Sequence, residues 1–586
     1  MKSSTQYTRK NGTAVMRFTV FLWTLGVMHL LSVVGSHALG QTRELVEQFS
    51  ADENSLKFKY RIPLSQSTED RFKEFYSLWR TRISQVEFDS LDQDGKIDLI
   101  LLKNHIEFQS QRGIVHARKL ASVRRLAPYW KSISVLLEDH EAMKEIDPEK
   151  IAEVFTAITK QINAGALLDP SKLTSVLQTM VETKPTLVYE ATLELEKLSR
   201  SLSEFHRFYS GYDPMYSWWV KKPYEEVSNA LKAHIAYLKA AVFGKDDPNT
   251  KIIGQPIGVE SLDLAIKNAM IPYTASELIE IANLEMTWCD IEMGKATREL
   301  GFRDWKKAQE FVKTKHVAPG KQPKMIADLA QEAVRFLEMN NLITVPALAK
   351  ESWRMKMMSP ERQKMSPYFL GGNTIIVSFP TDTMSHADKL MSLRGNNVHF
   401  ARAVVHHELI PGHHLQYFMN SRNKPYRELF RTPFWLEGWA VYWEMLLWDL
   451  GFARSAEDRI GMLFWRKHRC ARIIFSLAYH SGEMSPEDCI DYLVDRVGHE
   501  RNNATAEVRR SIMGGYGPLY QAAYMLGAKQ FRMLHKELVQ SGKMTNREFH
   551  DAVLKENSIP IELLRAKLTN QELSLDFEPS WRFSQR

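Results

Sequence analysis

Beyond the first 40 residues, apolar positions recur at spacings of three and four along most of the chain. IAEVFTAITKQINAGALL (151–168), TLVYEATLELEKLSRSLSEFHRFY (186–209) and YEEVSNALKAHIAYLKAAVF (224–243) are the clearest examples. This period matches one face of an α-helix. Helices of this kind bury a stripe and must pack on one another, so the expected fold is a large, mainly α body. One stretch breaks the trend. GGNTIIVSFP (371–380) is apolar and β-branched between glycines and a proline, and reads as a short strand about 30 residues before a histidine cluster. Its open edge could hold an extended peptide, or it could be a small structural hairpin. The Pro/Gly-punctuated stretch GKDDPNTKIIGQPIG (244–258) marks a boundary between an N-terminal helical region, 41–250, and a C-terminal region, 251–586.

Residues 1–40 carry Lys2, Arg9, Lys10 and Arg17 ahead of the apolar run FTVFLWTLGVMHLLSVV, then Ala38-Leu39-Gly40. That order is the order of a signal peptide cut before Gln41. An uncleaved signal anchor is the alternative, since the run approaches the length of a membrane span. Either way the chain is exported, to the periplasm or beyond the cell.

Composition narrows the function by exclusion. At 44% hydrophobic and 25% charged residues the chain is globular. Its formal charge of +7, less the four leader cations, leaves +3, too mild for nucleic-acid binding. Cys289, Cys470 and Cys489 form no metal-binding cluster and allow at most one disulfide. None stands at the cleavage point, which argues against a lipid-anchored lipoprotein. SLDQDGKIDLIL, from Ser90, imitates a calcium loop, but Leu101 stands where a bidentate glutamate belongs. It reads as a polar turn that starts a helix.

The candidate chemistry lies in AVVHHELIPGHHLQY (403–417). Catalytic zinc takes three protein ligands and keeps a place for water. In the common HExxH helix the second histidine follows four residues after the first. Here that place after His407 is Pro411. In an unbroken helix His413 would lie about 9 Å along the axis and about 120° around it, too far to share an ion. Pro411 has no N–H to continue the helix and Gly412 accepts unusual geometry, so the helix is expected to bulge or loop out there and bring His413 to the metal. His414 is the rival ligand. FWLEGWAVYWEML (434–446) offers Glu437 as the third ligand, with Glu444 as an alternative or as a partner that orients a histidine. Glu408 is the expected general base, taking a proton from the activated water and passing it to the leaving amine. Downstream, GGYGPLYQAAYMLGAKQF (514–531) supplies Tyr516, Tyr520 and Tyr524. Tyr524 and Tyr516 are the candidates for stabilising an oxyanion. Arg509 and Arg510 could hold a substrate carboxylate or be solvated cations.

His407-Glu408-Leu409-Ile410-Pro411-Gly412-His413-His414, Trp435-Leu436-Glu437-Gly438-Trp439-Ala440 and Pro518-x-x-Gln521-x-x-Tyr524-x-x-Gly527 resemble the signature blocks of the bacterial family known as domain of unknown function 885. The likeness covers roughly residues 50–575. That family is similar to helical gluzincin peptidases, the group of angiotensin-converting enzyme and the thermostable carboxypeptidases, in which a deep cleft between two helical halves holds zinc. The resemblance implies His407, His413 and Glu437 as zinc ligands and Glu408 as base. The expected function is hydrolysis of small or extended peptides by a metal-activated water, with no nucleic-acid partner and no stable membrane partner unless the leader is retained. The competing function is non-catalytic capture of peptides or metal on the same fold.

Overall fold

A computed structural model describes residues 42–164, 175–244, 251–254, 256–363 and 368–584. The leader expected at 1–40 and part of the expected boundary at 244–258 lie outside these residues. The fold is mainly α, as the periodicity requires, with one two-stranded sheet among the described residues. No described helix is long and apolar enough to cross a membrane.

The polar turn at Ser90 does start a helix. Asp92 accepts from the Gly95 backbone N–H at 2.8 Å and caps α1, Gln93–Leu126. The acids that imitate a calcium loop are engaged elsewhere: the fully buried Arg427 donates to Asp98 at 2.7 Å, and Lys424 reaches Asp94 at 2.8 Å.

At 34 residues α1 is long enough to serve two apolar cores. Its N-terminal half, through Ile97, Leu101 and Ile106, joins the larger core. Its C-terminal half, through Leu120, Val123 and Leu126, joins a smaller one with α2 (Pro185–Tyr209) and α3 (Pro214–Phe243). The helix α3 starts ten residues before its apolar pattern, because Asp213 caps it and Pro214 occupies its first turn.

The larger core surrounds the residues of interest. Its outer side includes α4, Ala275–Glu299. The strands β1 (Arg354–Met357) and β2 (Thr374–Val377) pair in parallel, Arg354 opposite Thr374, and Leu370 bridges back to Ile376. The strand is therefore shorter than the apolar run that announces it, with β1 and Leu370 taking its backbone bonds. Next come α5 (Val398–Glu408), α6 (His413–Asn420) and α7 (Pro433–Asp449), which is buried on every side from Phe434 to Leu447. The helix α8 (Ala456–Ser481) is buried too, although it carries Arg466, Lys467, His468, Arg469 and Arg472. After these come α9 (Arg501–Met513) and α10 (Tyr520–His535). Cys289, Cys470 and Cys489 are all buried and unbridged.

Candidate metal centre

The Pro-Gly pair does more than bulge a helix. The helix α5 stops at Glu408 and α6 begins afresh at His413, so the chain turns completely between them. The turn is closed by Gly412 N–H donating to the His406 carbonyl at 3.0 Å and His414 N–H to Leu409 at 3.1 Å. Trp439 of α7 donates its indole N–H to the Pro411 carbonyl at 2.8 Å. Gly412 is required by space: a Cβ there would fall 1.8 Å from the His407 carbonyl oxygen.

The turn brings His413 beside His407, their rings 4.9 Å apart and perpendicular. Glu437, from the second turn of α7, inserts Oε2 between them, 3.2 Å from His413 Nε2 and 3.6 Å from His407 Nε2. Glu408 is the other carboxylate within reach; one ligand atom from each of His407, Glu408 and His413 lies within 4.8 Å of the others. Position separates the two acids. Glu437 Oε2 sits between both imidazoles, buried and with no hydrogen-bond partner, while Tyr520 donates to its Oε1 at 2.6 Å. His414 turns away and donates to the Ala349 carbonyl at 2.8 Å, so of the two rival histidines His413 alone faces Glu437. Glu444 does not enter the cluster: it accepts from His407 Nδ1 at 2.7 Å and from Arg469 at 3.2 Å, which fixes the ring with Nε2 inward.

The electrostatics fit a cation. Burial works against a charged His407, yet the carboxylates of Glu437 and Glu444 beside it overcome this and raise its pKa to about 9. Burial likewise opposes an ionised Glu437, but His413 and His407 hold it well below the carboxylate range. Glu444 falls to about 2 against burial because of Arg469 and His407. A cluster that retains a proton so strongly is short of positive charge, and its Oε2 lacks a partner. Both features suit a divalent ion held by His407, His413 and Glu437. Glu408 differs: burial dominates and raises its pKa. Gly371, just before β2, lies over it so closely that a Cβ would stand 1.9 Å from its Oε2.

These groups form one wall of a cavity of about 280 Å³. Tyr524 lines it, parallel to the His407 ring at 6.3 Å, its phenol raised to about 12 mainly by burial. Tyr516 stands at the rim, 39% exposed, stacked on Tyr520 at 4.3 Å. Sequence reasoning chose Tyr524 and Tyr516; it passed over Tyr520, the tyrosine that bonds Glu437. It also missed Arg469, Arg472 and Glu507 in the cavity lining. Their signal was present, since RKHRCAR interrupts an otherwise apolar helix with charges that can be buried only in pairs. Arg510 lines the cavity; Arg509 does not.

Residues 59–568 match the family described as bacterial protein of unknown function, DUF885. The chain belongs to this family. Among solved structures, it is similar to a candidate lipoprotein of unknown function from Shewanella oneidensis, with 19% identity, a TM-score of 0.65, and 90% of this chain and 99% of that one covered. A candidate lipoprotein from Colwellia psychrerythraea gives 15% identity, a TM-score of 0.56, and coverage of 91% and 99%. At these identities the likeness is one of fold. No curated protein matches.

Proposed function

We propose that this member of DUF885 is an exported zinc peptidase acting on small or extended peptides. The observation that carries the reading is the convergence of His407 and His413 Nε2 on the unpartnered Glu437 Oε2, with Glu408 alongside in a cavity. Two imidazoles and one carboxylate are a ligand set typical of catalytic zinc. When bound, zinc would polarise a substrate carbonyl and acidify a water.

The chain's own groups do the rest. Glu444 keeps the His407 ring in register, and Tyr520 occupies Glu437 Oε1 so that Oε2 stays directed at the imidazoles. Glu408 accepts the proton of the attacking water on its carboxylate and returns it to the departing amine. Tyr524 donates its phenolic proton in a hydrogen bond to the oxygen that gains charge. Gly371 packs directly against Glu408. The likeness of this family to helical gluzincin peptidases, expected from the sequence, would fit the same reading. Export is supported by the basic-then-apolar leader and by the description of both similar structures as candidate lipoproteins. The three cysteines lie buried in the body, so none of them is placed to carry a lipid.

The test is incubation of the metal-loaded protein with a mixture of short peptides, followed by mass spectrometry. The proposal expects products that a chelator and Glu408→Gln both abolish. Peptide binding without products in the wild type would instead assign non-catalytic capture.

A further inference from the structure

Beyond the histidine pair the cavity lining holds Arg472, Arg510 and Glu507. Arg472 directs Nε to Glu507 Oε1 at 2.7 Å and Nη2 to the same oxygen at 2.7 Å. Arg510 shares that carboxylate from 3.9 Å. Two guanidinium groups therefore divide one acid. Arg472 is 4% exposed, and its Nη1 is buried without a hydrogen-bond partner, as is Nε of Arg510. The neighbouring Arg469 adds a third guanidinium, paired with Glu444. A buried N–H without an acceptor is costly, and an anion brought into the cavity would supply one to both guanidinium groups.

The distance to the candidate metal centre sets what that anion can be. The Tyr524 ring lies between: its centre is 6.3 Å from the His407 ring and 4.4 Å from the Arg472 guanidinium carbon, so these two lie no more than about 11 Å apart. An extended peptide covers that span in about three residues. Guanidinium groups with free N–H bonds match the planar carboxylate.

We propose that Arg472 and Arg510 form a carboxylate subsite that receives the free C-terminus of a short peptide, placing a bond one to three residues from that end at the histidine pair. This rests on the peptidase reading above and specifies chain ends as its substrate class. An acidic side chain offers the same chemistry and is separated by the test.

The test measures binding by calorimetry to the metal-loaded Glu408→Gln protein. The probes are a neutral tetrapeptide as free acid, the same peptide as its C-terminal amide, and an amide carrying one internal glutamate. The expected result is at least tenfold tighter binding of the free acid than of either amide. That preference weakens in Arg510→Gln, which leaves the Arg472–Glu507 pair intact, and disappears in the triple variant Arg472→Gln/Glu507→Gln/Arg510→Gln, which leaves none of the three charges buried without its partner. Tight binding of the glutamate-bearing amide would overturn the C-terminal assignment, and equal binding of all three would overturn the subsite. The peptidase reading stands or falls separately, on whether the wild type cleaves the free-acid peptide.

Discussion

Gly438 of α7 lies directly against Gly527 of α10: a Cβ on Gly438 would stand 2.6 Å from the Gly527 Cα. This contact sets the spacing of the two helices that carry Glu437 and Tyr520, so the 2.6 Å bond between those side chains depends on it. Neither glycine is needed for an unusual φ; both are needed for closeness. Gly438→Ala and Gly527→Ala should each cost about 1–3 kcal/mol by overpacking and should also weaken metal binding. Denaturant titration and metal content, measured together, check both effects.

Gly412 should be as intolerant for a related reason. Its missing Cβ leaves room for the His407 carbonyl, so Gly412→Ala must displace either the end of α5 or the start of α6. The expected result is a folded chain with metal affinity reduced more than tenfold. Unchanged affinity would mean that the turn does not set the His407–His413 separation.

Glu444→Gln should lower metal affinity about 10–100-fold without abolishing it, because the amide can still orient His407 but removes the charge behind it. Glu408→Gln should do the opposite, keeping affinity near that of the wild type while hydrolysis falls about 100- to 10,000-fold. Competition with a chromogenic chelator and peptide turnover, run on both variants, separate the two roles.

Acid should destabilise the fold well above the carboxylate range. His234 is buried beside Tyr129, and burial lowers its pKa to about 4; burial does the same to His480, at about 4, and to His550, at about 3. Each stays neutral in the fold while the unfolded chain takes up a proton near pH 6.5. The contribution of these three histidines to stability is therefore complete above about pH 6.5 and declines as pH falls toward 4, by up to about 1.4 kcal/mol per pH unit for each. Denaturation midpoints at pH 7.5 and 5.0 test this. The difference should shrink in His234→Gln, and equal midpoints in the wild type would contradict it.

What was legible in the chain follows from how local each signal is. The helices of the smaller core appear in the three-and-four spacing because each has one apolar face. In α7 and α8 that spacing is lost, since both are buried all round, yet the chemistry of FWLEGWA and of the buried arginines marks them. Pro411 and Gly412 announce a break; the spacing alone left open whether the helix would bulge or loop out, and it ends. His413 and His414 could not be ranked without the backbone, because what separates them is that His414 reaches the Ala349 carbonyl, 65 positions away in sequence. Tyr520 was passed over for the same reason: nothing near it in the chain points to Glu437, and only the close crossing of α7 and α10 brings them together.

The most direct test is metal content per chain after loading with zinc and desalting. The account predicts about one equivalent for the wild type and for His414→Gln, and near none for His407→Ala, His413→Ala and Glu437→Ala. A wild-type protein that retains no metal, or a His414→Gln variant that loses it as completely as His413→Ala does, would contradict it.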